Sequence, residues 1–194
     1  MDALDFFLVR YEQVHRVLSD PAIKQLGEAQ LRGRPHPGVN TVAWLLWHIA
    51  RVEDVGVNRF AADLTQVLDD GWFARLGVDR RDVGTGMSDA EVDELSTRID
   101  LDALRGYWDA LTRRTPEVVE SLRGSDLDAL VPKERVERVA SAEGAVGPGA
   151  EWLTEFWAAG RTRAWVLAQT PLLHVYGHWF EARAVAGLWG ARSL

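Results

Sequence analysis

Apolar residues recur along this 194-residue chain every third or fourth position, and no segment alternates apolar with polar over the length of a strand. That periodicity confines the fold to helices packed on helices. It predicts an all-α protein, a bundle of about four principal helices with elaborated connections. Leu4, Phe7, Leu8, Tyr11, Val14 and Leu18 mark a first helix that Pro21 closes. Asn40 or Thr41 caps a second that runs to about Leu68, and Asp69 to Met87 reads as a long connection holding a short helical turn at 72–76. Ser88 with Glu91 forms a capping box for a helix to about Arg98. Asp100 caps the next, which runs toward Leu122 with Pro116 as a kink or break. Pro132 opens a short helix, and the Gly-rich tract 142–150 is expected to run over the surface. Thr170 and Pro171 read as N-cap and first-turn proline of the last helix, which Gly187 and Gly190 end. Connections of this length permit crossover topologies, and 194 residues suffice for one domain with a sizeable core, taken here as 1–194.

Within this pattern three histidines stand out. His174 and His178 lie four apart and so share one helix face, and His48 interrupts the apolar run T-V-A-W-L-L-W-H-I-A at 41–50. Three imidazoles from two helices could hold a divalent metal. The pair alone is a weak signal: with five histidines, one such spacing arises by chance in roughly one chain in ten. A histidine on an apolar helix face is also often a core residue bonded to backbone. The face of His174 and His178 carries Glu181 one turn on, as an outer partner, a general base, a further ligand or a solvated carboxylate. The face of His48 holds Thr41, Trp44, Leu45, Val52 and Val55, with Arg51 at its edge, as a ligand on the inner side of a bundle would. Glu53 and Asp54 project about 140° and 120° away, at ~100° per residue, and suit ion pairing better than ligation. Trp44, one turn before His48, is placed to wall a small-molecule pocket. His15 reads as a surface or packing residue and His36 as a loop residue.

The composition removes several alternatives. The chain has no cysteine, so disulfides, thiolate ligands and a cysteine nucleophile are excluded, and any reacting thiol must be supplied from outside. A net charge of −7 argues against a nucleic-acid partner. Val175 follows His174 where a zincin peptidase needs glutamate. The acidic start M-D-A-L-D-F-F is unlike a secretory signal and no apolar run reaches membrane-spanning length, so a cytoplasmic protein without membrane partner is expected.

N-T-V-A-W-L-L-W-H-I-A-R-V-E-D at 40–54 together with H-V-Y-G-H-W-F-E-A-R-A-V-A-G-L-W-G at 174–190 resembles the DinB/YfiT-like superfamily of four-helix-bundle metalloproteins. The resemblance implies a divalent metal, such as zinc, nickel or iron, held by His48, His174 and His178. Where relatives often carry Gly-Gln or Gly-Glu after the second histidine, this chain reads Trp179-Phe180-Glu181. Characterised members are similar to thiol-dependent transferases and isomerases using mycothiol, bacillithiol or glutathione. The reading that follows is a metal-dependent thiol S-transferase or isomerase acting on a small electrophilic substrate, with Trp44, Arg51 and Tyr176 as substrate-binding groups and Glu181 as a candidate catalytic one. The alternative is a non-catalytic metal- or ligand-binding stress-response bundle. Pairing of two copies as a homodimer is the assembly such bundles favour.

Overall fold

The computed structural model describes residues 1–16 and 19–191. Leu18, expected in the first helix, lies outside them. Four long helical stretches dominate the described residues. The first is α1 (Ala3–Val14), started by a capping box between Asp2 and Asp5. Two short helices, α2 (Pro21–Lys24) and α3 (Glu28–Arg32), lead to the second stretch, α4 (Val42–Asp54), whose first turn is capped by the Thr41 hydroxyl. Helices α5 (Asp70–Leu76) and α6 (Asp89–Arg98) fill the connection to the third, α7 (Leu101–Ser121). Helices α8 (Lys133–Glu137) and α9 (Trp152–Ala158) precede the fourth, made of α10 (Arg163–Ala168) and α11 (Val175–Leu188). No strand forms among the described residues; Leu130 and Thr162 make an isolated bridge. The all-α expectation holds, and no helix is long and apolar enough to cross a membrane among the described residues.

Helix α4 lies at the centre and packs against α7, α11, α3 and α6. All thirteen of its residues are buried, which is why its sequence is apolar nearly all round. One core cluster surrounds its first half, with Leu45, Trp47, Ile49, Tyr107 and Trp108. A second gathers Tyr11, Val55, Phe60, Val118 and Trp157. Pro116 does not break α7. It removes one ladder hydrogen bond, but the buried stripe Leu104, Trp108, Leu111, Thr115, Val118 runs straight past it, and packing of that face outweighs the loss.

Three sequence expectations are corrected. The second helix does not reach Leu68. It widens into a π-helical segment, Val55–Ala61, and the chain then doubles back, because the Asp54 carboxylate accepts the backbone N–H groups of Val67 and Leu68. Thr170 and Pro171 do not start the last helix. The cap is Thr162, and the helix runs through a second π segment, Gln169–His174, where the wider turn absorbs a proline that has no N–H to give. Thr170 turns its hydroxyl back to the Val166 carbonyl. The two π segments meet at Gly56, where a Cβ would stand 2.1 Å from Thr170 Oγ1, so only glycine allows this approach. Finally, the tract 142–150 is only partly at the surface: Ala142, Pro148 and Gly149 are exposed, but Ala145 and Ala150 are buried, and the Ala145 carbonyl accepts the Val83 N–H. Gly147 and Gly149 serve close packing. A Cβ on Gly86 would sit 2.8 Å from the Gly149 carbonyl carbon, and both residues have positive φ.

Candidate metal centre

His48 reaches inward from α4, His174 from the last position of the second π segment and His178 from the first turn of α11. One ligand atom from each lies within 4.8 Å of the others, and His48 Nε2 and His174 Nε2 are 3.1 Å apart. Outer partners fix two of the rings. His48 Nδ1 donates to the Val83 carbonyl, and since a carbonyl only accepts, the proton stays on Nδ1 and the Nε2 lone pair faces the group. His178 Nδ1 lies 2.7 Å from Glu181 Oε2, which likewise leaves Nε2 free, and Asn40 Nδ2 donates to the other carboxylate oxygen at 2.8 Å. The Trp44 indole stacks on His48, 4.6 Å between centroids and 9° from parallel, and fixes the plane of the ring.

Burial pushes the His48 imidazole down to about 4, with His178 adding to the effect against the Val83 carbonyl and Glu181. Burial, then its two histidine neighbours, carries His174 well below its ordinary range. Both rings are neutral at pH 7, the form that ligates. Glu181 is held below the usual carboxylate range, first by its bond from His178. His174 Nδ1 is buried without a partner. If the proton sits there, two Nε2 lone pairs oppose each other at 3.1 Å; if it sits on Nε2, a buried Nδ1 lone pair goes unmet. A cation among the three Nε2 atoms removes the first conflict, so the donor set fits a metal ion.

The histidines form the floor of a cavity of about 470 Å³. Trp44 lines it, as its position before His48 implies. Arg51 and Tyr176, expected beside the substrate, are not in its lining. The Arg51 guanidinium is turned into the core, where it donates to Tyr107, Gln66, the Arg81 carbonyl and Asp54. Tyr176 projects outward, 45% exposed, and packs edge-on against Trp179 and Phe180. Glu181 sits behind His178, engaged on both oxygens, as an outer partner would be. The far wall, formed by Trp152, Phe156, Trp157, Gln169 and Thr170, was not among the residues singled out for the site; a cluster of three aromatics within six residues at 152–157 is its one local sequence signal.

His15 is also more than a packing residue. Its side chain is buried, donates to the Pro171 carbonyl at 3.3 Å and lies 2.9 Å from Glu53 Oε2. Glu53 Oε1 accepts the hydroxyls of Tyr11 and Thr115. This network ties α1, α4 and α7 to the segment that ends in His174. His36 stays in an exposed loop.

Comparison with known proteins agrees with this architecture. A family model described as the DinB superfamily matches residues 11–179, a span that includes His48, His174 and His178. Among solved structures, a conserved protein from Enterococcus faecalis superposes with a TM-score of 0.70 over 99% of both chains, at 16% identity, a likeness of fold. No curated protein matches the chain.

Proposed function

The chain belongs to the DinB superfamily, and from that premise we propose that it is a divalent-metal-dependent enzyme, a thiol S-transferase or isomerase acting on a small electrophile. The observation that carries this reading is the convergence of three imidazoles, one ligand atom of each within 4.8 Å of the others and two of the rings held by outer hydrogen bonds, on the floor of an apolar cavity.

In this reading His48, His174 and His178 hold the metal and leave coordination positions open toward the cavity. A bound cation would let an external thiol, such as mycothiol or bacillithiol, react as thiolate at neutral pH, chemistry the cysteine-free chain cannot supply itself. The Val83 carbonyl and Glu181 keep protons on the two Nδ1 atoms, so the ligating lone pairs stay directed inward. Trp44 holds the His48 ring against rotation and shields one side of the site from water. Glu181, held by His178 and Asn40, acts as a positioning residue.

Metal analysis of protein purified without an affinity tag, beside His174→Ala, tests the ligand set: stoichiometric metal is expected in the first and its loss in the second. Low-molecular-weight thiols screened with monochlorobimane then test the chemistry. Metal in the protein without metal-dependent turnover of any thiol would favour a non-catalytic binding bundle.

A further inference from the structure

The cavity wall opposite the histidines has a composition that the metal group does not explain. Trp152, Phe156 and Trp157 of α9 line it with Trp44 and Leu153, and among the described residues no Asp, Glu, Lys or Arg is in the lining. Its remaining polar groups are neutral: the amides of Asn40 and Gln169 and the hydroxyls of Thr85 and Thr170. The fold buries Trp47 and Trp108 completely, yet leaves Trp152 57% and Phe156 37% exposed, their rings edge-to-face at 6.1 Å. Exposed aromatic surface rimming a concave site marks a place where apolar area is covered by a ligand.

We propose that this wall is a subsite for an uncharged, flat, largely apolar ligand, the second reactant of the site; the identification as second reactant rests on the metal-dependent reading above. Charge argues for neutrality. In the metal-free protein an anionic or cationic group placed here would give up its water with no opposite charge among the lining residues to replace it. The charged residues that flank the aromatics in sequence, Glu151 and Glu155, are acidic and add nothing that would hold an anion. The Arg161 guanidinium is already engaged, stacked over the rings of Phe156 and Trp165 at 4.6 and 4.3 Å and donating to the Phe156 carbonyl. The aromatic rings supply area for a planar ligand body. Gln169 and Thr85, whose side chains make no hydrogen bond among the described residues, supply neutral donors and acceptors for its polar end.

The test is a matched ligand series on one ring: 2-naphthylmethanol, 2-naphthoate and 2-naphthylmethylammonium, titrated by calorimetry into the full chain, both metal-loaded and after chelation. After chelation the alcohol is expected to bind at least tenfold more tightly than either ion; in the metal-loaded protein, where a carboxylate can ligate the cation, the tenfold preference is expected over the ammonium ion. Trp152→Ala and Phe156→Ala, changes at exposed positions, are each expected to weaken the alcohol at least fivefold without altering melting temperature or metal content. Loss of selectivity in the chelated protein, equal binding by the alanine variants or no binding of the alcohol would overturn the subsite. Absence of metal from the purified protein would sink the metal reading alone, because the chelated arm reports on the wall by itself.

Discussion

Helix α4 carries two polar groups about 9 Å apart along its axis that solve burial in opposite ways. At Asp54 the carboxylate is filled: it accepts from Arg51, Asn58, Tyr107 and the backbone of Val67 and Leu68. At His48 the outward nitrogen is bonded and the inward one meets two more imidazoles beside open space. Both are costly to bury and both recruit distant segments. The difference lies in where the spare valence points: the Asp54 knot turns all of it on the protein itself, whereas the histidine group turns it on the cavity. A closed network holds the fold; one with lone pairs left facing a cavity is fit to take a ligand.

The sharpest break of this comparison is Asp54→Ala, which strands a buried guanidinium and two backbone donors. It is expected to cost about 3–5 kcal/mol of stability by denaturant titration, on the scale of removing one partner from a buried ion pair. His174→Ala is expected to do the reverse, lowering metal affinity at least ~100-fold, or about 2.7 kcal/mol, while the metal-free protein stays within ~1 kcal/mol of the parent. Equal destabilisation of the metal-free proteins by both changes would erase the distinction. Glu181→Gln retains an acceptor but removes the charge behind His178; metal affinity is expected to fall ~10-fold by competition with a chelating dye. The smallest effect concerns the loop that brings the Val83 carbonyl to His48. Arg80 ties it down by bridging Asp82 and Glu91. Glu91 is held at about 2, first by the Ser88 N–H and then by Arg80. A carboxylate depressed in the folded state stabilises fully above its ordinary pKa of 4.5, and that contribution fades as pH falls toward 2. Melting temperature in that window should therefore drop less steeply for Glu91→Gln than for the parent.

What could be read from sequence follows the reach of each interaction. Histidines spaced i, i+4, a third on an apolar face and a carboxylate one turn on are all local patterns, so His48, His174, His178 and the place of Glu181 were legible. So was the exclusion of Glu53 and Asp54 from the inner face. The Val83 partner was not, because a backbone carbonyl looks the same in every residue. Arg51 misled because a helical wheel gives direction without saying what stands there, and Tyr107 and Gln66 come from elsewhere in the chain. Tyr176 misled because two residues from a ligand in sequence is about 160° away on a helix. The α9 wall depends on the packing of the Gly86 and Gly149 loops, and their glycines looked like slack.

The π segment at Gln169–His174 gives the last helix the character of a phase shifter. Each residue advances an α-helix by about 100°, so the wide turn sets the angular offset between the part of the helix that docks on Gly56 and the part that presents His174 and His178. The turn takes up about one extra residue, carries the chain past Pro171, and lets the helix resume with His174 and His178 toward His48. One segment thus serves two ends, with Thr170 docked against Gly56 and His174 presented to His48.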